Sequence, residues 1–196
     1  MKEHVSRVSA WLDATLGGLP PEVPNAEYSV ELQLSILGLE VETLRPPILD
    51  VGCGPDARLV QHLRGLGLEA WGVDLDASEP FGIGGDWLQF DYGERRWGTV
   101  ISHQAFSLHF LHHHFRRGEA ARRHGEVYAA ILRGLAPGGS FVYTPSLPFV
   151  ESVLPGSAYR IERRPLPPEL AAGLEWVRRL APEMEVSYAS RVTKRS

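Results

Sequence analysis

The feature that most constrains the fold of this chain is an apolar run that enters a tight glycine turn, at residues 48–56. The turn contains Gly52 and Gly54, and a leucine stripe over residues 56–66 predicts a helix directly after it. Glycine accepts a positive φ without steric cost, so a backbone can turn sharply there and a ligand can approach it. In an open α/β sheet such a turn lies at the carboxyl end of a strand, where ligands bind. This stretch therefore predicts a ligand site.

The rest of the chain alternates predicted strands and helices. Strands are predicted over residues 48–51, 68–73, 86–90, 97–102, 140–144, 158–164 and 184–193. Helices are predicted over residues 3–16, 26–44, 56–66, 119–135, 147–153 and 168–181, with a loop and a short helix over 103–117. The alternation indicates an α/β fold with a doubly wound, mostly parallel, Rossmann-like sheet. We expect residues 1–44 to form an N-terminal helical cap and residues 45–196 a single compact domain.

Two classes of cofactor fit the glycine turn. Residues 52–57 satisfy the GxGxxA fingerprint of dinucleotide-binding proteins, and Asp74 ends a predicted strand where an acid would bind ribose hydroxyls in either class. Asp50 distinguishes the classes, because a carboxylate two residues before the first glycine repels a pyrophosphate and favours an ammonium group. S-adenosylmethionine carries an ammonium group at one end and a ribose at the other. The residues therefore favour S-adenosylmethionine over a nicotinamide dinucleotide.

Five motifs in order make the chain resemble the class I S-adenosylmethionine-dependent methyltransferases over residues 47–146. The motifs are residues 48–54 (ILDVGCG), Asp74 after Gly72-Val73, Gly85-Asp86-Trp87, residues 97–102 (WGTVIS) and residues 132–139 (LRGLAPGG). The resemblance implies a seven-stranded sheet with an antiparallel last strand. It also implies a cofactor site, for which we expect the residues Asp50, Gly52, Cys53, Gly54, Asp74, Leu75, Asp86, Trp87 and Ser102. The family usually has an acidic residue at the position of Thr99.

A segment rich in aromatic residues and histidines follows the fourth predicted strand. His103 comes directly after that strand, and an imidazole with an ordinary pKa of about 6.5 suits a general base at neutral pH. We therefore expect His103 to be the catalytic residue. The residues expected to contact the methyl acceptor are Tyr28, His103, Gln104 and Phe106. His109 and His113 share a helix face, but the sequence shows no third ligand, so we predict no metal site.

The sequence thus predicts an enzyme, a methyltransferase that transfers a methyl group in line from S-adenosylmethionine to a small-molecule acceptor. The cofactor carries the reactivity, so the chain needs no catalytic triad. RNA or protein acceptors remain open, as does a non-catalytic S-adenosylmethionine-binding regulatory module, and a nicotinamide-dependent oxidoreductase is the least favoured alternative. Residues 102–105 read Ser-His-Gln-Ala, which lacks the Asn-Pro-Pro-Tyr signature of DNA adenine methylation.

The composition of the chain restricts its expected binding partners and cellular compartment. A formal net charge of −4 gives no general reason to bind nucleic acid or an anionic membrane. The single cysteine excludes an intrachain disulfide, which suits a reducing compartment, so we expect a cytoplasmic protein. No run approaches the length of about 18 apolar residues that a membrane span requires. The pattern predicts neither the oligomeric state nor the pairing of the last strands.

Overall fold

The computed structural model describes residues 28–196, so the helix predicted over residues 3–16 lies outside the described chain. The described residues form a seven-stranded sheet with the order β3-β2-β1-β4-β5-β7-β6. The strands are β1 Ile48–Val51, β2 Ala70–Asp74, β3 Gly82–Gly84, β4 Trp97–His103, β5 Leu135–Thr144, β6 Tyr159–Pro165 and β7 Tyr188–Lys194. Strands β1 to β5 pair in parallel, and β7 runs antiparallel between β5 and β6. The predicted sheet is therefore confirmed.

Helices cover the sheet and connect its strands. They are α1 Val30–Leu37, α2 Arg58–Gly65, α3 Phe106–Arg116, α4 Glu119–Gly134, α5 Pro148–Glu151, α6 Pro168–Ala172 and α7 Glu175–Leu180, with a 3-10 turn at Val41–Thr43. Strand β1 is buried along its whole length, and its neighbours are β2 on one side and β4 on the other. The chain reverses its direction of winding between β1 and β4. This reversal leaves a crevice at their carboxyl ends, where open α/β sheets bind ligands.

The strand predicted over residues 86–90 is wrong, because the third strand lies at Gly82–Gly84 and pairs with β2. Residues 87–89 form a turn instead. The Asp86 carboxylate accepts a hydrogen bond from the Leu88 N–H at 2.9 Å, and the Asp86 carbonyl accepts one from Gln89. These local bonds compete with a strand, as aspartate commonly does in turns.

Three predicted helices differ from the observed ones. The helix predicted over residues 26–44 begins at Val30 and ends at Leu37, because Gly38 takes a left-handed conformation and donates back to the last turn. The helix predicted over residues 168–181 is divided into α6 and α7 near Gly173. Conversely, the segment after β4 forms the 11-residue helix α3, whose inner face is fully or largely buried.

The C-terminal part of the sheet is held by a buried carboxylate. Glu151 is 1% exposed and accepts hydrogen bonds from the Leu147 N–H, the Tyr143 hydroxyl and the Ser190 hydroxyl, at 2.7 to 2.8 Å. Its second oxygen forms an ion pair with Arg163 at 2.7 Å. These contacts connect α5 with β5, β6 and β7. Because every partner is satisfied, the network fixes the order of the last strands rather than forming a reactive site.

The segment before β1 packs against the sheet. Ser29 caps α1 by accepting a hydrogen bond from the Leu32 N–H, and α1 packs against α2, β5 and β7. This packing carries Tyr28 to the crevice, while the division at residue 44 into a cap and a domain stays a prediction. Within residues 28–196, no helix is long and apolar enough to cross a membrane.

Candidate functional site

A cavity of about 440 Å³ opens at the carboxyl ends of β1, β2 and β4. Its walls come from the glycine turn after β1, the residues that follow β2 and β4, the turn at residues 86–88, and side chains of α1, α3 and α4. The volume lies within the range of small-molecule sites. The cavity therefore occupies the position that the glycine turn predicts for a ligand.

The glycine turn is shaped by two residues with positive φ. Gly52 has φ 81°, and a Cβ built there would lie 2.2 Å from the Cβ of Ala105, so the turn packs directly against Ala105, two residues after the end of β4. Gly54 has φ 72°, but a Cβ there would meet nothing within 4 Å. Gly52 is thus required for packing, whereas the main chain at Gly54 faces open space that a ligand can enter.

The N–H groups of this turn are already used within the chain. Gly52 donates to the Val73 carbonyl at 2.8 Å, and Ala57 donates to the Gly54 carbonyl. The Gly54 N–H donates to the Asp74 carboxylate at 3.1 Å. A pyrophosphate site depends on such N–H groups pointing at the ligand. The arrangement therefore argues against a dinucleotide in spite of the GxGxxA spacing.

Two carboxylates make the turn suitable for a positive charge. Asp50 is 3% exposed in β1, and burial raises the pKa of its carboxyl to about 7, with a further contribution from the nearby Asp74 carboxylate. A cation placed at the turn would favour the ionised form of Asp50 and offset the repulsion between the two groups. The electrostatics of the site thus select cationic ligands.

Apolar surface lines the part of the cavity next to Asp74. Leu75 is 67% exposed although it is a large apolar side chain, and it borders the cavity together with Trp87. The Trp87 ring meets His109 of α3 edge-to-face, with 5.5 Å between the ring centroids. Asp86 borders the same region, where the backbone of Leu88 and the Gln89 amide hold its carboxylate. These groups suit a flat ring that carries polar edges.

The other end of the cavity is built around His103. The imidazole is 8% exposed, and burial lowers its pKa to about 4, so the ring is neutral at pH 7. The Tyr28 and His103 rings meet edge-to-face, with 4.6 Å between their centroids. The Tyr28 hydroxyl donates a hydrogen bond to the Gln104 amide oxygen at 2.9 Å. Gln104 has φ 51°, a conformation that non-glycine residues rarely adopt and that often occurs at functional sites.

The structure brings most of the expected site residues together, but Asp50 is buried within β1 and does not border the cavity, and neither do Ser102 and Phe106. Ser102 and Phe106 are fully buried, and the Ser102 hydroxyl accepts a hydrogen bond from the Phe106 N–H at 3.1 Å. Their side chains therefore fix the start of α3. The Cys53 side chain packs against Gly72, and burial, with Asp50 and Asp74 nearby, raises the pKa of its thiol above the usual value. Cys53 thus shapes the turn and is not a reactive thiol.

Further residues that the sequence did not assign individually to the site border the cavity, among them Gln33, His109, His113 and His124. The spacing of His109 and His113 places them on one face of α3, so that pair was detectable. His124 lies on α4, where no sequence pattern connects it with the others. Within residues 28–196, no three His, Cys, Asp or Glu side chains are arranged to hold a metal ion.

Comparison with known proteins agrees with this geometry. No protein-family model matches the chain, and no curated protein matches it. The solved structure of a TehB-like S-adenosylmethionine-dependent methyltransferase from Corynebacterium glutamicum is 18% identical, with a TM-score of 0.51 and 100% of both chains covered. The structure of the N-methyltransferase NodS from Bradyrhizobium japonicum is 15% identical, with a TM-score of 0.50, covering 84% of this chain and 94% of that one. Together with the strand order, these similarities confirm that the chain has the fold of the class I S-adenosylmethionine-dependent methyltransferases.

Proposed function

We propose that this protein is an S-adenosylmethionine-dependent methyltransferase that acts on a small-molecule acceptor by direct in-line transfer. The observation that carries the proposal is the electrostatics of the glycine turn. The Gly54 N–H is taken by Asp74 at 3.1 Å, and Asp50 is buried beside it. Such a turn binds a cation in preference to a phosphate, and S-adenosylmethionine carries two positive charges.

The residues around the cavity fit that cofactor from end to end. Asp50 does not border the cavity and would balance the ammonium group from its buried position in β1, two residues before Gly52. Asp74 would accept hydrogen bonds from the ribose hydroxyls with the oxygen lone pairs that its backbone partners leave. Leu75 and Trp87 would hold the adenine ring between apolar surfaces. When bound, S-adenosylmethionine supplies a methyl group activated by its sulfonium. The chain's own task is then to orient the acceptor and exclude water.

The pKa of His103 argues against the role of general base that the sequence predicts for it. A general base works best when its pKa lies near the working pH, but burial lowers the pKa of His103 to about 4. Its imidazole is therefore a weak base at neutral pH, and its unprotonated nitrogen can accept a hydrogen bond. We infer that His103 orients the acceptor group, with Tyr28 and Gln104 closing that end of the cavity.

Charge favours a small molecule over RNA as the acceptor. Four aspartates border the cavity, whereas Arg58 is the single Lys or Arg among the described lining residues and pairs with Asp56 at 3.1 Å. RNA binding depends on Lys and Arg contacts to phosphates, which this surface does not offer.

The test is a thermal-shift comparison followed by an acceptor screen. S-adenosylmethionine and S-adenosylhomocysteine should raise the melting temperature, whereas NADH should not. Asp50→Asn should lose the cofactor shift, and the exposed surface variant Glu183→Gln should keep it. Stabilisation by NADH alone would refute the proposal. Cofactor binding without turnover across a broad acceptor screen would favour a non-catalytic module.

A further inference from the structure

We propose that the methyl acceptor is a small amine, and that its N–H donates a hydrogen bond to Nε2 of His103 during transfer. This inference rests on the proposed function, because it names the substrate class of the same site. Its basis is the pair of polar atoms on two neighbouring strands at the buried end of the cavity, together with the charge of the cavity walls.

In the described part of the chain, two buried polar atoms lack hydrogen-bond partners at the ends of β4 and β5. Among residues 28–196, His103 Nε2 and Thr144 Oγ1 are buried side-chain atoms with no hydrogen-bond partner. The β4–β5 register pairs these two residues, at the carboxyl ends of their strands, and paired residues of neighbouring strands share one face of the sheet. Buried polar groups are almost always hydrogen-bonded in native proteins. A ligand that brings a polar hydrogen to His103 would satisfy the orphaned nitrogen.

The surroundings of His103 favour nitrogen over oxygen as the nucleophile. The uncharged Tyr28 ring packs against His103, and among residues 28–196 no carboxylate contributes to the pKa of the imidazole as one does in a catalytic triad. A hydroxyl must lose its proton as it attacks, which requires an effective base. A neutral amine attacks with its lone pair and needs only orientation. In the Nδ1–H tautomer, Nε2 supplies that orientation by accepting the N–H.

The step balances without a further reactant. The amine lone pair forms the new C–N bond, and the electron pair of the broken C–S bond remains on sulfur. The nitrogen keeps its proton as an N-methylammonium and releases it to solvent after the product leaves. The site therefore requires an acceptor that carries at least one N–H at the start.

The charge of the cavity agrees with this class. The lining carboxylates Asp56, Asp74, Asp76 and Asp86 attract an ammonium ion to the entrance and repel carboxylates and phosphates. Closer to His103, the walls are the uncharged and half-buried side chains of Tyr28 and Gln104, so the neutral form of the amine is favoured there. The cavity thus attracts the cation and binds the free base.

The experiment uses matched acceptors on the full-length protein loaded with S-adenosylhomocysteine. The probes are benzylamine, benzyl alcohol, benzoate and N,N-dimethylbenzylamine, with the corresponding cyclohexyl set. Calorimetry measures binding to the loaded protein, and mass spectrometry measures methylation with S-adenosylmethionine. Primary amines should bind and be methylated. Preferential methylation of the alcohol or the carboxylate, quaternisation of the tertiary amine, or failure of all the amines to bind would overturn the inference.

Two variants assign the contact to His103. His103→Leu should weaken amine binding about tenfold, because the N–H loses its buried acceptor, and His103→Gln should restore part of it. Both should bind S-adenosylhomocysteine as the wild type does. Unchanged amine affinity in His103→Leu would overturn the role of His103. If the wild type does not bind S-adenosylhomocysteine, the proposed function itself is refuted. This outcome differs from failure of the amine proposal, in which the wild type binds S-adenosylhomocysteine but no amine.

Discussion

Replacing Asp50 by asparagine should stabilise the ligand-free protein at high pH while it abolishes cofactor binding. Asp50 is 3% exposed, and burial, with Asp74 nearby, raises the pKa of its carboxyl from 3.8 to about 7. Between pH 3.8 and about pH 7, the Asp50 carboxyl is ionised in the unfolded chain and protonated in the folded chain. The folded state therefore binds more protons, and the free energy of unfolding falls as the pH rises.

The size of the effect follows from the two pKa values. Each pH unit between them lowers the free energy of unfolding by about 1.4 kcal/mol, up to about 4 kcal/mol in all. Between pH 5 and pH 8 the wild type should lose about 2–3 kcal/mol through this group. Asparagine does not titrate, so the advantage of Asp50→Asn over the wild type should grow by the same amount.

Urea unfolding of both proteins at pH 5, 6, 7 and 8 measures this difference. Glu183→Gln serves as the control, because that side chain is exposed and its replacement should leave the pH dependence unchanged. A stability difference between Asp50→Asn and the wild type that is constant across these pH values would show that Asp50 is ionised in the folded protein throughout. That result would refute the electrostatic reasoning for the site.

Three further outcomes are expected. In calorimetry of the wild type, affinity for S-adenosylmethionine should fall about tenfold per pH unit below pH 7, because protonation of Asp50 competes with the ammonium group, and an affinity that stays constant from pH 5 to pH 7 would contradict this. Asp74→Ala should weaken S-adenosylhomocysteine binding by about 1–3 kcal/mol, and an unchanged Kd would place the ribose contact elsewhere, with Asp76 as the first candidate. Glu151→Ala should lower the free energy of unfolding by about 3–5 kcal/mol, because it leaves Arg163 and three buried donors without their acceptor, and a melting temperature equal to the wild type's would contradict this.

Local sequence was sufficient for the centre of the site. The run into Gly52 and Gly54 predicts β1, its turn and α2, because each of these elements is determined by neighbouring residues. Asp74 could be predicted for the same reason, since it ends a strand at a fixed distance from the turn. The structure adds that its carboxylate accepts the Gly54 N–H, a contact between distant residues that no local pattern reveals.

One of the remaining errors comes from a local hydrogen bond, and the others come from interactions between distant parts of the chain. Asp86 closes a turn with Leu88, and this local bond overrode the strand-like pattern of residues 86–90. Phe106 looked like an acceptor contact because it follows β4, but packing in the core turned it away from the cavity. The pairing of β6 and β7 depends on Glu151, whose partners lie on separate strands. The sequence of α4 does not indicate that His124 borders the cavity.

A crystal structure of the full-length protein with S-adenosylhomocysteine tests the central claim most directly. We expect the amino group of the ligand to lie at the glycine turn on the Asp50 side. The ribose hydroxyls should donate to Asp74, and the adenine ring should lie between Leu75 and Trp87. The thioether sulfur should then face the end of the cavity that holds His103. A ligand whose ribose or adenine lies at the glycine turn, with its amino group away from Asp50, or a ligand bound outside this cavity, would contradict the proposed mode of binding.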